Sequence, residues 1–298
     1  MSSLQEILVV IFSVIEFIMG TLGNGFIVLI NSTSWFKSRK ISVIDFILTC
    51  SAISRMCVLW TTVAGVSFYK ALFYSKSLQV FFDIIWTGSN YLCTACTTCI
   101  SVFYLFKIAN FSNPIFIWVK QRIHKVLLSI VLGTIIYFFL FLIFMKIITN
   151  YFIYDWTKLE QNKTFTFLDT LTGFLVYNVI LIFFFAVSLT SFLLLIFSLW
   201  SHLRRMKLQG IHTKDTSTEA HIRAMKTIVS FLLFFIIYYI TNTMLTFSHP
   251  VLDNVVVKTF SYILTFTYLS IHPFLLVLWN SKLKWAFQCV LRKLVCHS

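Results

Sequence analysis

Few residues of this chain could carry chemistry, and two of them are ionisable side chains inside long apolar stretches. Glu16 lies 14 residues from the end of its stretch, and Arg55 lies 14 residues from the start of the next one. With a helical rise of 1.5 Å per residue, both lie about 21 Å from the same face of the molecule. A charge in such surroundings is costly unless it is paired. The sequence therefore predicts a polar clamp in which Arg55 pairs with Glu16 or Asn24, and a switch or ion site is the alternative.

Three cysteines stand close together, but their spacing argues against a metal site. Cys93, Cys96 and Cys99 occupy positions i, i+3 and i+6, so their side chains drift around a helix. No nearby histidine or carboxylate completes a tetrahedral set of ligands. His272 and Asp45 do not form a catalytic cluster either. The sequence therefore predicts packing roles for the cysteines, with no metal, no cofactor and no enzymatic activity.

Seven apolar stretches must position these residues. A hydrocarbon core about 30 Å thick needs roughly 20 apolar helical residues, which each stretch supplies. Of the 298 residues, 59% are hydrophobic and 11% are charged, whereas soluble domains carry about 25% charged residues. We therefore expect an all-α membrane protein, a seven-transmembrane helix bundle formed as one domain over residues 1–298. The predicted spans are Ile7–Ile30, Ile41–Val66, Val80–Phe106, Val126–Ile148, Gly173–Leu199, Thr227–Phe247 and Thr259–Ser281.

Basic residues mark one side of the membrane. Loops rich in Lys and Arg stay in the cytoplasm, so we expect an extracellular N-terminus (1–6) and a cytoplasmic tail (282–298). The formal charge of +14 is explained by topology and anionic lipid rather than by nucleic-acid binding. On the predicted inner side lie 17 of the 24 basic residues: Lys37, Arg39, Lys40, Lys107, Lys120, Arg122, Lys125, Arg204, Arg205, Lys207, Lys214, Arg223, Lys226, Lys282, Lys284, Arg292 and Lys293.

Modification motifs follow the same topology. Asn31, Asn110 and Asn162 each begin an N-x-[ST] sequence. The first two fall on the predicted cytoplasmic side, where glycosylation does not occur, whereas Asn162 lies in the long outer loop. The sequence therefore predicts a glycan on Asn162 of a multi-pass protein of the plasma membrane. In the basic tail, Cys289 and Cys296 are candidates for palmitoylation.

Six short motifs occur in order along the spans, and together they carry a family resemblance. They are Leu22–Phe26 (LGNGF), Ala52–Arg55 (AISR), Phe103–Ser112 (FYLFKIANFS), Ser198–Met206 (SLWSHLRRM), Asp215–Lys226 (DTSTEAHIRAMK), and His272–Phe274 with Asn280–Lys284 (HPF and NSKLK). This series resembles the bitter taste receptors, a family of seven-helix G-protein-coupled receptors, over essentially the whole chain. The absence of cysteine from the predicted outer loops also resembles this family. So does Phe-Tyr in place of an acidic-Arg-Tyr motif after the third span.

Pairs of aromatic and amide side chains predict a ligand site in the outward half of the bundle. Members of each pair stand four residues apart and so share a helix face. Large aromatic surfaces with a few hydrogen-bonding groups are typical of small-ligand pockets. The pairs are Trp86 with Asn90, Tyr238 with Asn242, and Tyr262 with Phe266. The resemblance implies that Trp86 and Asn90 contact small bitter agonists.

Basic residues near the inner ends of three spans predict a second site, where the resemblance implies a heterotrimeric G protein of the gustducin or inhibitory type. Agonist binding can act there only by favouring one conformation of the bundle over another. The predicted contact residues are Lys107, His202, Arg204, Arg205, Arg223 and Lys226.

Two other classes of membrane protein are alternatives. A vomeronasal pheromone receptor also has seven spans without an acidic-Arg-Tyr signature, but the Phe103–Ser112 and Ser198–Met206 segments favour the bitter family. A transporter would show internal repeats with interrupted spans in matching halves, and no such repeat is visible here.

Overall fold

The computed structural model describes residues 3–39, 42–67, 75–109, 111–158, 167–208, 216–251 and 255–296, and within these ranges the regular structure is entirely helical. The helices are α1 (Ser3–Ser38), α2 (Val43–Ser67), α3 (Lys76–Ile108), α4 (Pro114–Gln121), α5 (Ile123–Lys158), α6 (Phe167–Leu208), α7 (Thr216–Val251), α8 (Val255–Trp279) and α9 (Ser281–Cys296).

Seven of these helices are long and apolar enough to cross a membrane. They are α1, α2, α3, α5, α6, α7 and α8, and each overlaps one predicted span; the seventh span was placed two residues too far, because α8 ends at Trp279. The prediction of an all-α seven-transmembrane bundle is therefore confirmed. A helix satisfies its backbone hydrogen bonds within itself, which is the requirement for crossing hydrocarbon, except where a proline removes an N–H.

The spanning helices pack as a ring in the order α1, α2, α3, α6, α7, α8 and back to α1, with α5 packed outside against α3. Because α3 contacts α2, α5 and α6, it is the most buried of the seven spans. Its central segment, residues 88–102, is almost entirely buried. Helices α1, α3, α6 and α8 have their C-termini on the same side of the ring. We call this side the basic end and the opposite side the far end.

The short helix α4 was not anticipated from the sequence, which placed this segment in a loop. Pro114 occupies the first turn, where a missing N–H costs nothing. Asn113 caps the helix by accepting a hydrogen bond from the Ile115 N–H at 2.8 Å. At the other end Arg122 interrupts the helical backbone before α5 begins at Ile123. Local capping thus defines an eight-residue helix at the basic end.

The packing of α1 against α8 explains two of the sequence motifs. A Cβ at Gly20 would lie 2.7 Å from Leu59 Cδ1 of α2 and 3.0 Å from Ser270 Oγ of α8, so glycine permits close approach of both helices to α1. Pro273 has no N–H, so the Leu269 carbonyl four residues earlier loses its helical partner. The Asn24 side chain donates to this carbonyl at 3.2 Å. The Asn24 side chain of α1 therefore satisfies the carbonyl that Pro273 leaves without a partner in α8.

A polar lock joins α1, α2 and α9 at the basic end. Lys282 Nζ lies 3.0 Å from Asp45 Oδ2 and donates to Asn31 Oδ1 at 3.2 Å. The Asn31 amide donates in turn to Thr49 Oγ1 at 3.1 Å. Since Asn31 is only 1% exposed, it is inaccessible to a glycan in the folded protein.

Candidate functional site

The centre of the candidate site is a hydrogen bond between α3 and α7. Tyr238 Oη donates to Asn90 Oδ1 at 2.7 Å, and both side chains are buried. The Asn90 amide donates to the Trp86 carbonyl one turn earlier, at 2.8 Å. The structure therefore brings together three of the six predicted ligand-site residues.

Tyr268 of α8 completes a polar-aromatic triangle around this bond. Its ring stacks on that of Tyr238 with centroids 4.4 Å apart. Its hydroxyl shares a hydrogen bond of 3.2 Å with Thr97 Oγ1, which returns to α3. Phe266 packs in the same cluster. Helices α3, α7 and α8 are thus joined by one set of contacts. A displacement of one helix would change its contacts with the other two.

Trp86 and two tyrosines form a wall on the α6 side. The Trp86 and Tyr177 rings are nearly parallel, at 11°, with centroids 6.5 Å apart. Tyr91 lies below them and donates to the Tyr177 carbonyl at 3.0 Å. Such flat, rigid surfaces offer contact area to a small ligand with little loss of side-chain entropy.

Asn242 adds unused hydrogen-bonding capacity to this wall. It lies beside Tyr177 and is only 2% exposed. Asn242 Oδ1 and the Tyr177 hydroxyl lie near each other, but neither forms a hydrogen bond of good geometry with a described residue. A buried polar atom without a partner costs about 1–3 kcal/mol, so a polar ligand group would be favourable here.

Tyr262 is not brought into this cluster. Its side chain is 41% exposed, whereas Phe266, one turn along α8, is buried. The i, i+4 spacing predicted that both side chains share one face of α8. Near the far end, however, this face of α8 is directed towards the outer surface of the ring. Tyr262 is therefore peripheral to the five other predicted ligand residues.

Sequence reasoning missed two central residues, Tyr177 and Tyr268. A signal existed for Tyr268, because it lies four residues before His272 on the same face of α8. No comparable signal marks Tyr177, which the sequence shows only as one aromatic residue among many in an apolar span. Its role becomes visible only where α6 meets α3.

The predicted pairing of Arg55 with Glu16 or Asn24 is wrong. Arg55 is fully buried, lies beside Cys93, and has its guanidinium carbon 5.9 Å from the Tyr268 ring centroid. Its three side-chain nitrogens have no hydrogen-bond partner in the part of the chain that the structure describes. The Arg55 side chain is directed towards α3 and α8 rather than towards α1.

Glu16 and Asn24 instead attach α1 to α8. Thr267 Oγ1 donates to Glu16 Oε1, and Ser270 Oγ donates to the Glu16 carbonyl at 2.6 Å. Asn24 reaches the Leu269 carbonyl, as described above. Glu16 and Asn24 therefore join α1 to α8 rather than pairing with Arg55 of α2.

Aromatic contacts continue from the triangle towards the basic end. Tyr268 and His272 have ring centroids 4.8 Å apart, and His272 and Phe231 have centroids 4.1 Å apart. Phe231 then packs on Phe192 of α6 at 5.3 Å. These contacts form a continuous aromatic path that joins α8, α7 and α6.

Four of the six predicted G-protein contacts are described, and all four are exposed. Lys107 ends α3 with its Nζ 5.6 Å from the Phe103 ring centroid, and Arg204 lies 5.9 Å from that of Trp200. His202 and Arg205 lie near the end of α6. The side chains of Arg223 and Lys226 lie outside the described part of the structure, as does the whole of Asn162.

The central cysteines lie within the packed ring. Cys93, Cys96 and Cys99 are fully buried. Cys99 Sγ donates to the Leu127 carbonyl of α5 at 3.6 Å. Small, weakly polar side chains here allow α2, α5 and α6 to pack closely on α3.

Comparison with known proteins gives one consistent result. The family model described as "Taste receptor protein (TAS2R)" matches residues 1–295. Taste receptor type 2 member 8 of Pongo pygmaeus is 39% identical over 293 residues, covering 94% of this chain and 93% of the relative. Member 46 of Pan paniscus is 39% identical over 288 residues, with 93% and 91% covered. Member 7 of Rattus norvegicus is 38% identical over 292 residues, with 94% and 92% covered.

Proposed function

The chain belongs to the taste receptor type 2 family of G-protein-coupled receptors, and from this premise we propose that it binds small bitter-tasting molecules between α3, α6, α7 and α8. We further propose that agonist binding activates a heterotrimeric G protein of the gustducin or inhibitory type at the basic end.

Family membership decides between the alternatives raised by the sequence. The resemblance to bitter taste receptors is confirmed, and the vomeronasal and transporter alternatives are set aside. The protein is a multi-pass membrane receptor and not an enzyme.

The observation that carries the ligand proposal is the set of polar atoms beside the Trp86 wall. Asn242 Oδ1 and the Tyr177 hydroxyl are buried next to a stacked pair of large rings. Apolar walls with a few convergent polar groups are the usual chemistry of small-molecule sites. We therefore assign Trp86, Tyr177 and Asn242 to the contact surface, with Asn90, Tyr238 and Phe266 behind it. Tyr262 would contact only ligands that extend towards the far end.

The triangle beneath this surface supplies a route to the other site. A ligand that moves Tyr238 must disturb its bond to Asn90 and its stack on Tyr268. The aromatic path through His272 and Phe231 then carries the shift to α6 and α7. An agonist acts by binding one arrangement of these helices more tightly than the other. Lys107, His202, Arg204 and Arg205, together with Arg223 and Lys226, would meet the G protein where these helices end.

Orientation follows from charge. We propose that the basic end is cytoplasmic and the far end extracellular, because basic loops are retained in the cytoplasm. The receptor would then expose its ligand site outwards in the plasma membrane. This orientation also places Asn162, between α5 and α6, on the glycosylated side.

A calcium-signalling assay with a gustducin-type chimeric G protein and a panel of bitter compounds tests the proposal. With surface expression matched, we expect at least one compound to activate the wild type and Trp86→Ala to raise its EC50 about tenfold or more. A stacked aromatic is worth roughly 0.5–1.5 kcal/mol beyond its buried area, and 1.4 kcal/mol is a factor of about ten. Trp35→Ala is the matched control, because Trp35 is 47% exposed at the opposite end of the bundle. Equal potency of wild type and Trp86→Ala for every active compound would contradict the assignment.

A further inference from the structure

A groove opens at the basic end between α4 and the first turns of α5. Its volume is about 440 Å³, and its lining residues are Trp118, Arg122, Lys125, Val126, Ser129 and Ile130. We propose that this groove binds an anionic phospholipid of the adjacent leaflet, with the phosphate between Arg122 and Lys125. The site is separate from the agonist cluster, and the proposal does not depend on the agonist.

The groove lies on a flank of α5 that the ring leaves uncovered. Its α5 residues recur at intervals of three and four, so they form one stripe along the helix. The stripe that faces α3 is a different one, formed by the buried residues Leu127, Val131 and Thr134. Helix α4 closes one side of the groove with Trp118. The opening therefore faces the membrane at the depth where the span begins.

Two cations in the groove have no acidic partner. In the described ranges, no carboxylate lies within 4 Å of Arg122 or Lys125. In contrast, Lys282 at the same end of the bundle forms an ion pair with Asp45. The Arg122 guanidinium carbon lies 4.8 Å from the Trp118 ring centroid. This contact keeps the guanidinium beside the groove wall, and a guanidinium can form two parallel N–H bonds to a phosphate.

The rest of the groove suits an acyl chain. Val126 and Ile130 form a half-buried apolar floor. Gly133 continues the same stripe, and a Cβ added there would meet nothing within 4 Å, so the path beyond the floor is open. On α4, Ile115 is 73% exposed and Trp118 is 53% exposed. Exposed apolar and tryptophan side chains on a short helix beside basic residues are typical of a segment in the headgroup region.

Charge and shape together select the occupant. A zwitterionic lipid would present its own cation to Arg122 and Lys125, whereas phosphatidylserine or a phosphoinositide adds net negative charge. A free phosphate would use the two cations but leave the floor and the Gly133 path unused. A lipid with an anionic headgroup satisfies both parts of the groove.

Native mass spectrometry of the purified full-length receptor tests this binding. The receptor is titrated with phosphatidylserine, with phosphatidylcholine and, separately, with inorganic phosphate. We expect the wild type to retain phosphatidylserine in preference to phosphatidylcholine, and Arg122→Gln/Lys125→Gln to lower its affinity about tenfold or more. The matched control is Lys284→Gln/Arg292→Gln, which removes two exposed charges from α9 at the same end. Gly133→Phe should weaken binding of the lipid with all charges intact.

Several outcomes would overturn the proposal. Equal losses in the two double variants would show attraction by general surface charge, and retention of inorganic phosphate as strong as that of lipid would show a simple anion site. Full affinity in Gly133→Phe would remove the acyl path. The G protein itself is another possible occupant of the groove, and a G-protein activation assay in phosphatidylcholine nanodiscs tests it. A loss of activation by Arg122→Gln/Lys125→Gln there, with no anionic lipid present, would assign the groove to the G protein.

Discussion

Replacement of Asn24 by leucine should destabilise the receptor, chiefly through a carbonyl on another helix. The Asn24 amide donates to the carbonyls of Gly20 and Leu269. The Gly20 carbonyl already accepts a hydrogen bond from a helical N–H, so losing the Asn24 side-chain hydrogen bond costs it little. The Leu269 carbonyl has no such partner, because position 273 is proline. A buried carbonyl left unsatisfied costs about 1–3 kcal/mol.

A double-mutant cycle isolates this term. Pro273→Ala supplies the missing N–H, so the Leu269 carbonyl can be satisfied within α8. Asn24→Leu should therefore cost less in the Pro273→Ala background, with an interaction energy of about 1–2 kcal/mol. The packing of Gly23 against the Pro273 ring is lost in both arms that carry alanine and cancels in the cycle.

The assay is thermal unfolding of the purified receptor for the wild type, both single variants and the double variant. One kcal/mol corresponds to about 2–4 °C in a protein of 150–250 residues, so Asn24→Leu alone should lower Tm by roughly 2–12 °C. In the Pro273→Ala background most of this decrease should disappear. Equal decreases in the two backgrounds would refute the reasoning, since the Asn24 contact would then be independent of the proline.

Three further predictions concern other residues. Asn242→Leu should reduce the potency of polar agonists more than that of apolar ones, as judged by EC50 values at matched surface levels, because it removes a buried polar atom of the contact surface that has no partner among the described residues. Arg55→Ala should lower surface expression or the response to every agonist alike, because Arg55 is among the largest fully buried side chains; Arg55→Met should recover part of the loss, and loss of a single agonist would instead place Arg55 in the pocket. Asn162→Gln should abolish the glycosidase-induced mobility shift of the wild type, and a shift that persists would remove the glycan assignment.

Much of the architecture could be predicted because hydropathy reports position along one axis. The seven spans, their order and the depths of Glu16 and Arg55 follow from counting residues at 1.5 Å each. Helix α4 was not predicted, because an eight-residue helix depends on its Asn113 cap and Pro114, and the apolar pattern there is too short to distinguish from a loop.

The candidate site was predicted in part for a related reason. Trp86, Asn90, Tyr238 and Asn242 carry local signals, namely amide and aromatic side chains one turn apart on an otherwise apolar helix. Tyr177 and Tyr268 contribute as much, yet each is defined by a partner on another helix. Tyr262 satisfied the same local pattern and nevertheless lies at the surface.

The sequence by itself determined which segments are long and apolar enough to cross a membrane and which family the motifs resemble. Tertiary structure decided which way each side chain points around its helix axis. Arg55 turns towards Tyr268 rather than Glu16, and Asn24 turns towards the carbonyl that Pro273 leaves without a partner. Rotation about the axis is set by the packing of neighbouring helices, through close approaches such as that at Gly20. Residue spacing along the chain does not determine this rotation, because it depends on contacts between helices that are distant in the sequence.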